Sequence, residues 1–308
     1  MLTQQQIDQF HRDGFLVMRG MFKGKELDEL RAAAQRVQEE GAAQKGQDHC
    51  YTHVPGKGKT YFRSEKMWDR DPIFQAVTVK PELLECIGQC IGHPFLPIND
   101  SFVCKLPEGN VPIVWHQDPP YSSTKKEYAV TYEVPNFDVD IYLDDSTIEN
   151  GCVWGIPGHH LVGHIDLSRF TEDELFTKFG AVPMLMAPGD VLFHSLSAPH
   201  GSRGNTTKSI RRIFYVHYMA REVLEYCYPG WGDKRGYSDA GKAFTKEMIT
   251  AREKLGFGTI DGSQVKLTPE GFVFTGQPGT PPRHWGKLLA AMSPDELARK
   301  QLLESMLA

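Results

Sequence analysis

The pattern of apolar and polar positions divides the chain into a helical first third and a strand-rich middle. In the first third, apolar residues recur at helical spacing, which predicts helices over residues 3–12 and 25–40 and a helical block over residues 72–91. One short apolar run, Phe15–Met18, predicts a strand between the first two helices. Residues 41–60 are rich in Gly, Lys and Gln, so we expect a loop there.

From residue 97 onward, short β-rich runs alternate with turn residues, and no helical pattern separates them. The predicted strands are Ser101–Lys105, Ile113–His116, Asp138–Leu143, Cys152–Ile156, Val191–His194 and Ile213–Tyr218. Several short strands without intervening helices are typical of a sandwich or a barrel. Beyond them, the sequence predicts a helix near Ala240–Leu255 and another from about Pro294. The predicted fold class is therefore mainly β with flanking helices.

The chain shows neither an internal repeat nor a convincing linker, which favours one domain over residues 1–308. We expect this domain to consist of three parts: a helical N-terminal part at about 1–95, a β core at about 96–220, and a decorating C-terminal region at 221–308. The sequence does not indicate an oligomeric state.

Composition points to a small-molecule partner. The chain is 40% hydrophobic and 24% charged, with a formal net charge of −5, whereas a nucleic-acid or anionic-membrane partner calls for a basic surface. No apolar run reaches the ~18 residues of a membrane span, and the N-terminus lacks the apolar stretch of a signal peptide. The six cysteines form no Cys-x-x-Cys pair. We therefore expect a reducing, cytoplasmic setting.

The most informative segment is Trp115-His116-Gln117-Asp118. In a strand, residues i and i+2 point to the same face, so His116 and Asp118 are expected side by side, and His200 can complete a three-ligand set from a distant strand. Two His and one carboxylate, with the remaining positions open, suit an Fe(II) that must also bind a cosubstrate and O2. A lone His-x-Asp pair is a weak signal, but Pro119-Pro120 predicts that the strand ends here and leaves the ligands at its rim.

Several motifs, taken in order, resemble one family. They are Phe10-x-x-Asp13-Gly14-Phe15, the Trp115–Asp118 segment, Leu143-Asp144-Asp145, Glu149-Asn150-Gly151-Cys152, Pro157-Gly158-His159-His160, Pro188-Gly189-Asp190-Val191-Leu192-Phe193-His194-Ser195, His200-Gly201-Ser202-x-x-Asn205 and Arg211-Arg212. In this order they resemble the phytanoyl-CoA dioxygenase family of Fe(II)/2-oxoglutarate-dependent oxygenases, over roughly residues 1–220.

The resemblance implies a double-stranded β-helix, the cupin-like jelly roll, with His116, Asp118 and His200 as the iron ligands. The family places its 2-oxoglutarate-binding Arg eleven positions after the distal His, which is Arg211 here (211 − 200). A planar guanidinium suits this role because it grips a carboxylate through two parallel hydrogen bonds. Strand parity alone does not choose Arg211 over Arg212. Ser202 aligns with a hydroxyl that contacts the same carboxylate, and Arg63 aligns loosely with a basic cosubstrate contact.

One position departs from the family pattern. Asp140 stands where family members commonly carry a Trp, four positions before the first Asp of Leu143-Asp144-Asp145. Asp138, Asp140 and Tyr142 share one strand parity, so they face either solvent or, if the family register holds, the cavity. A carboxylate in a partly desolvated pocket needs a partner. Asp140 is therefore expected either to bind a cationic or hydroxyl-rich substrate or to pair with a protein Arg or Lys.

The resemblance implies an oxygenase that hydroxylates an unactivated C–H bond of a polar small molecule, such as an amino acid, an osmolyte or a natural-product intermediate. Its cofactor is Fe(II), its cosubstrates are 2-oxoglutarate and O2, and it releases succinate and CO2. Desaturation, epoxidation and ring formation remain open, because the same chemistry performs each of them. Two alternatives are a cupin-like metal enzyme that does not use 2-oxoglutarate and a non-catalytic jelly roll that binds a small molecule.

Overall fold

A computed structural model describes residues 1–92, 94–118, 136–161, 165–221, 224 and 239–276. The helices in this part of the chain are α1 (Gln4–Asp13), α2 (Gly24–Ala42), α3 (Pro72–Thr78), α4 (Pro81–Ile91), α5 (Glu172–Thr177) and α6 (Asp239–Lys254). Helix α1 begins with a capping box, in which the side chains of Thr3 and Gln6 each bond to the other's backbone, and it ends at Gly14 in the left-handed conformation (φ 77°). None of the described helices is long and apolar enough to cross a bilayer.

The strands fall into two sheets. They are β1 (Phe15–Met18), β2 (His49–Val54), β3 (Gly58–Glu65), β4 (Phe95–Lys105), β5 (Ile113–His116), β6 (Phe137–Tyr142), β7 (Val153–Gly155), β8 (Val182–Pro183), β9 (Val191–Ser195), β10 (His200–Ser202), β11 (Arg211–Ala220), β12 (Val265–Thr268) and β13 (Gly271–Phe274). The larger sheet runs β1-β9-β6-β11-β4-β13-β12, and β3 joins β4 and carries β2. The smaller sheet runs β5-β10-β7-β8. All pairs are antiparallel, and the predicted jelly roll is confirmed.

The two faces of the larger sheet have different partners. One face packs against α1 to α4 and carries the main apolar cluster, which includes Phe102, Phe193 and Phe214. The other face meets the smaller sheet through a second apolar cluster that contains Phe15, Tyr142 and Ile213. Alternation along each strand therefore divides its side chains between the helical core and the space between the sheets.

The segment predicted as a loop is a hairpin instead. β2 and β3 pair across the tight turn at residues 55–57, and Tyr61 on β3 is buried against Gly41 at the end of α2. The prediction of a loop rested on the Gly, Lys and Gln content and gave too little weight to strand-favouring residues such as Tyr51, Thr60 and Tyr61. The helix predicted near 240–255 is confirmed as α6. Pro119-Pro120 and the helix predicted from Pro294 lie outside the described residues.

Gly155 on β7 of the smaller sheet leaves room for the ring of Phe15 on β1. A Cβ added there would lie 2.3 Å from Cζ of Phe15, which is itself buried. Gly155→Ala is therefore expected to lower the free energy of unfolding by about 1–3 kcal/mol through overpacking, as measured by urea denaturation. In the double variant with Phe15→Leu, the loss should be smaller than the sum of the two single losses. An additive double variant would contradict this contact as the cause.

Candidate metal centre

The two histidines of the predicted triad are neighbours in the smaller sheet. His116 ends β5 and His200 begins β10, and the register pairs them directly. Their ring centroids are 4.2 Å apart. Gly201 permits this close pairing, because a Cβ there would lie 3.1 Å from the Cα of Trp115. His116 and His200, which are 84 positions apart in sequence (200 − 116), thus meet at the end of β5.

Both imidazoles are held with Nε2 available as a ligand. Nδ1 of His116 lies 2.8 Å from the carbonyl oxygen of Val114, and Nδ1 of His200 lies 3.0 Å from that of Ala198. A carbonyl oxygen only accepts hydrogen bonds, so each Nδ1 carries a proton, and in the neutral imidazole Nε2 is then the nitrogen with the lone pair. This outer contact is typical of metal-binding histidines, because it fixes both the tautomer and the ring orientation.

Asp118 places its carboxylate between the two rings. Oδ1 lies 3.6 Å from Nε2 of His116, and Oδ2 lies 3.6 Å from Nε2 of His200. The backbone N–H of Asp118 donates to the carbonyl of Leu196 at 2.8 Å, which fixes the residue beyond the end of β5. One ligand atom from each of these three residues lies within 4.8 Å of the others, so all three can contact one ion.

The protonation states also fit a metal site. Burial, together with the nearby imidazoles of His116 and His194, lowers the pKa of His200 to about 3, so this ring is neutral at pH 7. Burial opposes ionisation of Asp118, but the nearby N–H of His194 and the surrounding imidazoles outweigh it, and the pKa of the carboxyl lies well below its usual range. A neutral imidazole and an ionised carboxylate are the ligand forms that a divalent cation requires.

Arg211 is buried with hydrogen-bond donors directed into the same region of the structure. Its side chain is 1% exposed, and its Nη2 donates to the carbonyl oxygen of Gly151 at 2.6 Å. Nε and Nη1 are buried without a hydrogen-bond partner in the described structure. Buried N–H groups of a permanent cation are costly to leave unpaired. These donors therefore fit a ligand carboxylate, as the distal end of 2-oxoglutarate would supply.

Arg212 serves a different purpose. Its guanidinium binds both carboxylate oxygens of Asp144, at 2.7 and 2.8 Å, on the other side of β11. Asp144 also accepts the backbone N–H of Arg212 at 3.1 Å. This bidentate pair links the Leu143-Asp144-Asp145 motif to β11. Of the two adjacent arginines, Arg211 is the one with donors left for a ligand.

The triad and Arg211 line one cavity of about 250 Å³ between the two sheets. Its lining also includes the predicted residues Ser202, Arg63 and Asp138. Ser202 is buried on β10, whereas the Arg63 side chain is 37% exposed on β3 and pairs with Glu65 at 2.5 Å. Asp138 lines the wall formed by the larger sheet, where its Oδ1 lies 2.7 Å from Nε2 of His217.

Two predicted substrate residues, Asp140 and Tyr142, lie outside the described cavity lining. Asp140 is fully buried, and both of its carboxylate oxygens lie 3.2 Å from Nδ1 of His194. Its protein partner is therefore a histidine rather than the expected Arg or Lys. Burial raises the pKa of Asp140 to about 6. Tyr142 is buried in the apolar cluster between the sheets. Neither residue is part of the described cavity lining, so their contact with substrate stays a prediction.

Sequence reasoning missed three polar residues at this site. Tyr215 and His217 line the cavity, and His194 lies beside Asp118. The first two could have been found from strand parity, because they follow Arg211 by four and six positions on β11. His194 gave no such signal, since the partners of a buried histidine depend on which strands pair.

The motif order is matched by a family model. The model described as phytanoyl-CoA dioxygenase (PhyH) matches residues 10–213, about two thirds of the chain. The chain belongs to the phytanoyl-CoA dioxygenase family. This membership confirms the enzyme class predicted from the motifs, an Fe(II)/2-oxoglutarate-dependent dioxygenase that acts on a small molecule.

Individual relatives of this dioxygenase are distant. Methylphosphonate hydroxylase of Gimesia maris is 27% identical over 274 residues, which cover 87% of this chain and 98% of that one. 2-Aminoethylphosphonate dioxygenase of an uncultured bacterium is 22% identical over 233 residues, covering 70% and 81%. Among solved structures, EctD from S. alaskensis with 2-oxoglutarate and 5-hydroxyectoine is similar at a TM-score of 0.58 and 20% identity, over 72% of this chain and 77% of that chain. This last similarity shows the fold.

Proposed function

We propose that this dioxygenase uses His116, Asp118 and His200 to hold Fe(II) and Arg211 to hold 2-oxoglutarate, and that it hydroxylates a C–H bond of a small polar molecule. The observation that carries the proposal is the meeting of two independent features in one cavity. A set of His, Asp and His with free Nε2 atoms opens onto the same space as the unpaired donors of Arg211. Either feature alone would fit several kinds of protein.

When bound, the iron and its cosubstrate supply the oxidising chemistry, in which 2-oxoglutarate is converted to succinate and CO2. The protein orients the cosubstrate and encloses the reacting groups. Arg211 fixes one end of the cosubstrate through its fork of N–H groups, and the neighbouring hydroxyl of Ser202 offers the same carboxylate a further donor. The sheets on both sides enclose the Arg211 end of the cavity, and exclusion of water from a reacting centre limits side reactions.

We infer that the substrate is small and polar. The cavity of about 250 Å³ must hold both cosubstrate and substrate, and it is smaller than the ~300–1,000 Å³ of typical ligand sites. Asp138, His217 and Tyr215 give its wall acceptors and donors for a polar group. The names of the relatives support small polar substrates, among them phosphonates.

A cytoplasmic setting remains part of the proposal, and the described cysteines are all free thiols.

The proposal predicts a strict requirement for both Fe(II) and 2-oxoglutarate. An anaerobic titration of the metal-free protein with Fe(II) and 2-oxoglutarate should give a visible charge-transfer band. In air, succinate should form slowly without a substrate and faster with one. A panel of phosphonates, amino acids and osmolytes would reveal which compounds raise the rate. A chelator should abolish succinate formation, and added Fe(II) should restore it.

Two alternatives make different predictions. A metal enzyme that does not use 2-oxoglutarate would bind Fe(II) without a charge-transfer band and would not need Arg211 for turnover. A non-catalytic binding protein would form no succinate under any condition. Either result in the wild-type protein would rule out the proposed reaction.

A further inference from the structure

His194 is buried next to the proposed metal centre, and the proposed reaction assigns it no role. It lies on β9, where the register pairs it with Phe15 on one side and Asp138 on the other. Its side chain is 1% exposed, and its ring centroid lies 4.6 Å from that of His200. The ring is thus packed behind one proposed iron ligand and directed toward another.

Three carboxylates surround this imidazole. Nδ1 lies 3.2 Å from the carboxylate of Asp140. Nε2 lies 3.5 Å from Oδ2 of Asp138 and 3.8 Å from Oδ2 of Asp118. The contact with Asp118 has the length of an ion pair and is about 1 Å longer than an N–H···O hydrogen bond. Nδ1 therefore faces a fully buried carboxylate on β6, and Nε2 lies between Asp138, also on β6, and the carboxylate proposed to bind the metal.

Geometry favours an outer role for His194 over metal ligation. His194, Asp118 and Asp138 do form a second set of atoms close enough to hold an ion. However, His194 does not belong to the described cavity lining, whereas His116, Asp118 and His200 all do. An iron that must also take a cosubstrate needs ligands that open onto the cavity. The Nδ1 of His194 also differs from those of the two proposed ligands, since it meets a carboxylate rather than a carbonyl.

We propose that His194 is a positioning residue for Asp118, and that Asp140 holds His194 in place. This inference rests on the proposed metal centre. With one oxygen of Asp118 directed to the metal, the other needs a donor to keep the carboxylate from rotating, and Nε2–H of His194 is beside Oδ2. Residues in this outer position tune affinity, and their loss typically costs 10–100-fold in metal binding.

A matched pair of substitutions tests the role of each ring nitrogen. The amide nitrogen of Gln falls near the place of Nε2, and that of Asn falls near the place of Nδ1. His194→Asn should therefore weaken Fe(II) binding about 10–100-fold, whereas His194→Gln, which keeps the donor toward Asp118 and loses the one toward Asp140, should lose clearly less. Asp140→Asn should shift the affinity in the same direction as His194→Asn. The readout is the anaerobic binding isotherm of Fe(II) with saturating 2-oxoglutarate, followed by the charge-transfer band.

Thermal unfolding of each metal-free variant separates positioning from packing. The inference predicts a loss of Fe(II) affinity in His194→Asn that is out of proportion to any change in melting temperature, with His194→Gln as the folded control. Unchanged affinity in His194→Asn would overturn it, and so would equal losses in both variants. Two Fe(II) ions per wild-type chain, one of them lost in His194→Asn, would make His194 a ligand and overturn it as well. If the wild type binds no Fe(II), the proposed function fails together with this inference.

Discussion

Replacing His200 by alanine is expected to lower the rate of succinate formation by more than about 100-fold, because loss of an outer-shell partner of a metal ligand already costs 10–100-fold. The substitution removes one of three protein ligands and leaves two, His116 and Asp118, on the adjoining strand end. At the same time the charge-transfer band should be lost at Fe(II) concentrations that saturate the wild type. The rate is measured as succinate formed per enzyme under saturating 2-oxoglutarate and O2.

His53→Ala is the matched control, because His53 is an exposed histidine on β2, outside the cavity lining. This control should keep both the band and the rate. If His200→Ala retained wild-type Fe(II) binding and turnover, the assignment of the triad would be wrong. A fall in activity with a normal charge-transfer band would also contradict a ligand role for His200.

Arg211→Lys is expected to raise the KM for 2-oxoglutarate about 10–100-fold, since a hydrogen bond to a charged group contributes about 1.5–3 kcal/mol and each 1.4 kcal/mol is a factor of ten. Lysine keeps the charge but loses the planar fork that matches a carboxylate. Iron binding without the cosubstrate should be nearly unchanged, because Arg211 is not among the candidate ligands. Initial rates over a range of 2-oxoglutarate concentrations, with a direct Fe(II) titration, measure the two effects separately.

The neighbouring arginine provides a control with the same chemical change. Arg212→Lys breaks the buried bidentate pair with Asp144, so it should lower the melting temperature and leave the KM for 2-oxoglutarate close to that of the wild type. Arg211→Lys should thus raise the KM for 2-oxoglutarate, whereas Arg212→Lys should lower the melting temperature and leave that KM unchanged. If both raised the KM equally, or if Arg212→Lys alone did so, the assignment of the cosubstrate site to Arg211 would be wrong.

Much of this architecture could be predicted from local sequence patterns. Helices α1, α2 and α4, and strands β1, β5 and β9, follow from apolar periodicity and turn residues within short windows. The candidate ligands were predicted from residue chemistry at a spacing of two, and Arg211 from the resemblance to the family, which places its cosubstrate Arg eleven positions after the distal His. The helix and strand predictions are confirmed because each depends on neighbouring residues, whereas the roles of the ligands and of Arg211 stay predictions.

The rest depends on which strands pair. Strand parity did not choose between Arg211 and Arg212, and only the family spacing favoured Arg211; in the structure, Asp144 is the partner of Arg212. The partner of Asp140 was unpredictable for the same reason, because His194 reaches it from a strand more than fifty positions away. The hairpin of β2 and β3 was missed because glycines and lysines diluted its strand pattern, although its contact with α2 buries Tyr61.

The chemistry of this enzyme is divided between its two sheets. His116 and His200 belong to the smaller sheet, whereas Arg211, Asp138 and His217 belong to the larger one. In the proposed function, the reach from the metal to the far end of its cosubstrate would be set by the thickness of the sandwich, which Phe15 and its apolar neighbours fill. A substitution in that filling would alter catalytic coupling while leaving every proposed reacting group intact, so these packing residues would act as a spacer that tunes the reaction.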